Sequence, residues 1–233
     1  MRDYFVLDGK PSSDFGVFLA TSNFLNGASH DAEEVEVPGR NGALTISNDR
    51  FHNFELEATV YTPWNVKENM LFLKEWLLGH SDTYYHYEES LDAEYFRMVR
   101  FSETFEVDTH DSRRGSAVLK FSCKPQKFLR TGDIPLDVTS GYVFFNPTLF
   151  DALPLISVTG AGTITIGEDS ITVTNTTKTE IDCDIQECYE GSINRNNKVV
   201  LSNAQFPKLK PGETEVTFTG FSSVEITPRW WRL

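Results

Sequence analysis

Between residues 155 and 227 the chain is a train of short segments rich in threonine and β-branched residues, separated by glycine, asparagine or proline turns. Residues 155–159, 163–166, 170–174, 180–183, 198–201, 215–219 and 223–227 all have this form. Branching at Cβ costs a helix side-chain freedom and suits a pleated strand. No apolar residues recur at helical spacing in this stretch. Many short strands at close intervals predict a β-sandwich. Gly167, Glu168 and Asp169 predict a hairpin turn between two of them.

The first half obeys a different pattern. Phe54, Leu56, Ala58 and Val60 alternate with Glu55, Glu57, Thr59 and Tyr61, the period-two signature of a strand with one buried face. Thr62 is then placed to cap a helix with Pro63 at its first position, and Met70, Leu73 and Leu77 recur at helical spacing with Trp76 and Leu78 alongside. Gly79 is expected to close that helix in a left-handed conformation. Further strands are expected around residues 84–87, over 95–107 and over 116–124, the last two joined by a polar turn at 108–115. The composition shifts near residue 125, and residues 130–135 have the character of a linker. The chain is therefore expected to be mainly β with one main helix, and to divide into domains at 1–130 and 131–233.

Charge narrows the functions such a fold can serve. The formal net charge of the 233 residues is −13, split as −7 over residues 1–130 and −6 over 131–233. An acidic surface repels phosphate backbones, so neither half is a nucleic-acid module. The longest charge-free apolar stretch, 152–167, is broken by Pro154, Gly160 and Gly162 and cannot cross a bilayer as a helix. Acidic residues at 3 and 8 stand where a secretory signal needs an apolar run, so neither export nor membrane insertion is expected.

Catalytic and ligand-binding patterns are scarce. There is no Gly-x-Ser-x-Gly elbow, and Gly160 and Gly162 are followed by strand-like sequence instead of the helix a dinucleotide site needs. His80, Asp82 and His86 match no metal-ligand spacing, and acid pairs such as Glu88–Glu89 or Glu168–Asp169 are unremarkable among 34 acids. Cys123, Cys183 and Cys188 form no CxxC pair; buried free thiols and a Cys183–Cys188 bridge are both open readings. No enzyme activity, cofactor or metal is expected.

Two segments stand out as contact candidates. The acidic run at 31–36 precedes a turn of Pro38, Gly39, Arg40, Asn41 and Gly42. This is either a solvated loop or a subunit interface in which Arg40 meets a neighbour's acid. At the C-terminus Trp230 and Trp231 are adjacent. On a strand they point to opposite faces, so one fills the core while the other is free to contact a partner or a saccharide.

The order of these turns resembles one family. Residues 5–9 followed by 12–16, the turn at 37–42 with Phe51 after it, and 121–125 closing the first half are similar to the distal tail proteins of long non-contractile-tailed bacteriophages. So are Asn146-Pro147-Thr148, the Gly160-x-Gly162 hairpin, 181–183, 206–212 and 226–231. The resemblance covers nearly the whole chain. It implies a structural virion protein of the phage tail tip, made and assembled in the host cytoplasm. Its N-terminal domain would form the wall of a homo-hexameric ring, and a galectin-like or carbohydrate-binding-module-like sandwich would project outward. Such a ring joins the tail tube protein to the tail-associated fibre or lysin protein, and in some phages it anchors receptor-binding proteins. The alternative it leaves is a host-adhesion module that holds cell-wall saccharide on the C-terminal sandwich.

Overall fold

A computed structural model describes residues 2–233. Among these, the regular structure is strands, short 3-10 turns and a single α-helix, in keeping with the mainly-β pattern of the sequence. Two compact units divide the chain, Met1–Lys127 together with Leu233, and Phe128–Arg232.

The first unit contains β1 (Phe5–Leu7), β2 (Lys10–Pro11), β3 (Phe18–Ser22), β4 (His30–Val35), β5 (Leu44–Phe51), β6 (Phe54–Thr62), α1 (Val66–Leu78), β7 (Tyr85–Glu89), β8 (Tyr95–Phe101), β9 (Val107–Thr109) and β10 (Gly115–Leu129). Its main sheet runs β2-β1-β7-β8-β10-β6-β3, with β9 also on β10, while β4 and β5 form a sheet of their own. The alternation that predicts β6 decides its faces: Leu56, Ala58 and Val60 are fully buried. With β10 on one edge and β3 on the other, β6 presents only its outer face.

The helix differs from expectation at both ends. The ladder between β6 and β10 extends to the pair Thr62–Gly115, which holds Thr62 extended and delays the helix to Val66. Thr62 instead ties the loop: its hydroxyl donates to the Trp64 carbonyl (2.7 Å) and accepts from the Asn69 side-chain amide (2.8 Å). Gly79 stays right-handed at φ −66°, with its N–H on the Glu75 carbonyl. A Cβ there would lie 3.3 Å from the Trp76 carbonyl oxygen, a tight approach. Met70, Leu73 and Leu77 face the core as their spacing demands. Phe5 stacks between Trp76 (5.7 Å) and Tyr87 (5.6 Å) at its centre.

The second unit contains β11 (Leu136–Asp137), β12 (Tyr142–Asn146), β13 (Leu155–Thr159), β14 (Gly162–Ile166), β15 (Asp169–Val173), β16 (Lys178–Asp182), β17 (Glu187–Glu190), β18 (Ile193–Asn194), β19 (Val199–Leu201), β20 (Gly212–Thr219), β21 (Ser223–Thr227) and β22 (Trp231–Arg232). One sheet runs β11-β21-β13-β16-β17-β18 and the other β12-β20-β14-β15-β19. Ile156, Ile164, Ile166, Ile171, Ile181, Val216 and Ile226 are at most 1% exposed and fill the sandwich between them. The β14–β15 hairpin closes on the pair Ile166–Asp169, and Gly167 supplies the φ of +60° its turn needs. The segment read as a linker begins instead with a 3-10 turn at 130–132, bonded into this unit: the Arg229 N–H donates to the Gly132 carbonyl (2.7 Å).

Candidate assembly interface

β4 and β5 form an antiparallel arm that pairs with no other strand among the described residues. Its register sets Val35 opposite Leu44 and Glu33 opposite Ile46, so these four share one face; Glu34–Thr45 and Ala32–Ser47 share the other. Leu44 is 39% exposed and Ile46 46%, a ribbon with an apolar face open to solvent. A two-stranded ribbon of this kind is marginal on its own. Pro38, Gly39, Arg40, Asn41 and Gly42 form its tip, all exposed, with Gly39 and Gly42 at positive φ.

Charge and hydrogen bonding hold the root of the arm. Asp31, the buried second residue of β4, accepts from Arg50 Nε (2.5 Å) and Asn48 Nδ2 (3.1 Å), and His52 Nε2 lies 3.4 Å away. The Arg50 and Asn48 bonds keep its carboxyl below the ordinary range. Register slips beside it, where Asp49 adopts a φ of +52°. The chain leading in is tied to the main sheet. Asn23 exchanges bonds with the Glu55 and Glu57 backbone, and buried Arg97 donates to the carbonyls of Phe24 (3.2 Å) and Asn26 (3.3 Å). Glu89 Oε1 accepts from Ser22 Oγ (2.7 Å) and Tyr87 Oη (2.8 Å).

Glu89 Oε2 and Arg97 Nη1 are buried without a partner among the described residues. Both residues line a cavity of about 20 Å³, the room one water needs, together with Phe24, Tyr95 and Lys127. Burial pushes the Glu89 carboxyl above its usual range, against the pull of its two hydroxyl donors. Lys127 pairs with Asp92 and lies over the Tyr95 ring at 4.4 Å. No local sequence pattern marks this root. The available signal was Arg97 beside Phe96 in the otherwise apolar core-facing part of β8.

The remaining candidates scatter. Trp230 is 6% exposed and belongs to the sandwich core. Trp231 is half-buried, stacked on Phe150 at 4.3 Å, and its indole N–H donates to the Asp151 carbonyl (2.9 Å). His80 bonds the Trp76 carbonyl, Asp82 takes the Tyr85 hydroxyl and His86 stacks on Phe96. No group of three or more His, Cys, Asp or Glu among the described residues is placed to hold a metal ion. Cys123, Cys183 and Cys188 are free and buried. No helix among the described residues is long and apolar enough to cross a membrane.

The sequence matches no protein-family model and no curated protein. Solved structures do match. The chain is similar to the Dit protein of phage SPP1, a paradigm of the hub adsorption apparatus in phages infecting Gram-positive bacteria. The TM-score is 0.76 at 16% identity, covering 97% of this chain and 98% of that one. It is also similar to chains of the phage P2 baseplate in its activated conformation. With Ca the TM-score is 0.55, at 10% identity and 97% coverage of both chains. With Sr it is 0.52, at 10% identity, covering 97% and 96%. The fold is that of Dit-like tail-hub proteins along almost its whole length.

Proposed function

We propose that this chain is a structural protein of the phage tail tip. In this reading it closes into a hexameric ring through its first unit and joins the tail tube to the tail-associated fibre or lysin and the host-adhesion apparatus. The observation that carries the reading is the arm, an unpartnered ribbon with an apolar face, within a fold shared along 97% of the chain with a phage hub protein. In a ring each subunit meets its neighbours through two different surfaces, a heterologous contact closed by rotation. The arm supplies one of them. Covering the half-exposed Val35, Leu44 and Ile46 would contribute about 1 kcal/mol each, and Arg40 at the tip meets a neighbour whose net charge is −13. The same acidity suits a wall past which DNA must slide without adhering.

The alternative, a saccharide platform at the C-terminal tryptophans, has less support. Trp230 is enclosed, and one face and the N–H of Trp231 are already engaged. Sedimentation and negative-stain microscopy test the ring. The wild type should form six-lobed particles with a central hole, and Leu44→Glu/Ile46→Glu should stay monomeric with an unchanged unfolding midpoint. A wild type that stays monomeric even when mixed with tube and fibre proteins overturns the reading. Rings formed by the double variant would remove the arm from it.

A further inference from the structure

The five-stranded sheet of the second unit starts at β12, where burial alternates. Phe144 (3%) and Asn146 (2%) point into the core, while Val143 (49%) and Phe145 (65%) stand on the outer face. β12 ladders with β20 on one side, and no strand among the described residues pairs with its other side. Beyond it, Leu149 is 90% exposed. Soluble proteins blunt such edges with lysine, proline or a bulge. Residues 142–146 hold no charge and no proline, and their register with β20 runs without a slip. The edge is left in the state of a strand that another strand completes.

The neighbouring row says what kind. Directly across the ladder, Val143 faces Glu215 and Phe145 faces Glu213 on the same outer face. The structure places neither glutamate in an ion pair with a described residue. A strand added beyond β12 would lie two inter-strand steps, roughly 10 Å, from β20. A lysine or arginine on its outer face reaches roughly 6–7 Å of that distance and the glutamate reaches back across the rest, so a basic side chain opposite Val143 lays its methylenes over it towards Glu215 and one opposite Phe145 lays its charge over the ring towards Glu213.

We propose that the free edge of β12 binds an extended segment of a partner protein as an added strand, and that this segment alternates apolar with basic side chains. Main-chain hydrogen bonds along the edge hold it, and Val143, Phe145, Glu213 and Glu215 select it. The inference concerns the second unit alone and does not depend on the ring.

Fluorescence anisotropy of the full chain tests it with three labelled nine-residue peptides: alternating Val and Arg, alternating Val and Glu, and the Val–Arg peptide with two central prolines. The Val–Arg peptide should bind at least tenfold more tightly than either other. Its affinity should fall at least fivefold with Glu213→Gln/Glu215→Gln and further with Phe145→Ser, all solvent-exposed changes whose folding circular dichroism checks. Equal binding of the proline peptide, which keeps every charge, overturns the added strand. Unchanged binding by the double glutamine variant overturns the charge selection. Sedimentation showing that Phe145→Ser dissolves a dimer of the wild type assigns the edge to a second copy and overturns the partner.

Discussion

Replacing Arg229 with alanine isolates one buried ion pair in the second unit. Arg229 grips Asp182 with two nitrogens, at 2.7 and 3.0 Å, and the same carboxylate accepts the N–H of Asp184 (3.0 Å). Burial pushes the Asp182 carboxyl up, but Arg229 and the backbone donors outweigh it and leave the group below its ordinary range. Removing one member of a buried pair costs about 3–5 kcal/mol because the other charge is stranded. The Arg229 side chain is 25% exposed, so water partly replaces it, and about 2–3 kcal/mol is expected at pH 7. With a urea slope of about 1 kcal/mol per M for a domain this small, the midpoint falls by about 2–3 M. Tryptophan fluorescence reports it, since Trp230 is the next residue and lies in the core. The pH dependence has a definite sign. A carboxyl depressed in the native state stabilises above its unfolded pKa of about 3.9 and loses that contribution as pH falls through the native value. The gap between wild type and variant should therefore narrow toward pH 3. Arg229 also sits at φ +58°, where a side chain costs about 1 kcal/mol that glycine avoids, so Arg229→Gly should lose less than Arg229→Ala. A difference below about 0.5 kcal/mol at pH 7, or one equal at pH 3 and pH 7, refutes the reasoning.

At Gly162 an added Cβ would sit 2.2 Å from the Thr219 carbonyl oxygen. Gly162→Ala should cost at least about 3 kcal/mol of second-unit stability in a urea melt. Glu89, with its native pKa raised by burial, should make the first unit lose stability as pH rises from about 4.3 through the native value. Glu89→Gln should flatten that dependence in parallel melts. The three thiols are buried and pushed up, Cys123 to about 12 and Cys188 to about 11. A thiol reagent at pH 8 should label none of them until denaturant is added.

Local pattern carried furthest where neighbours leave little choice. Residues 155–159 and 223–227 form strands over the very spans their β-branching marks, because both lie inside a sheet whose inner face must be apolar. β12 and β17 carry no such mark: the outer face of β12 holds Val143 and Phe145, so its sequence does not alternate apolar with polar although its burial does, and in the four-residue β17 only Cys188 is buried. The helix start moved because a ladder pair at Thr62 outweighs a cap of about 1 kcal/mol. At the candidate interface the tip, 38–42, was visible as a turn. Its anchoring was not, since Glu89 and Arg97 meet Ser22 and Phe24, 67 and 73 positions away, only through the fold, and Asp31 meets Arg50 only through the pairing of β4 with β5.

What the sequence alone determined is the set of quantities local chemistry controls. These are strands where β-branched residues alternate, a helix where Met70, Leu73 and Leu77 recur, hairpins at glycine turns, and an acidic surface. Only the tertiary structure decided which strands are left without a partner. Nothing in the sequence of the arm or of β12 marks them as strands left without a second neighbour. Whether a strand is an edge depends on which distant segments claim its backbone hydrogen bonds. That competition is settled by the whole sheet and is written in no single stretch of residues.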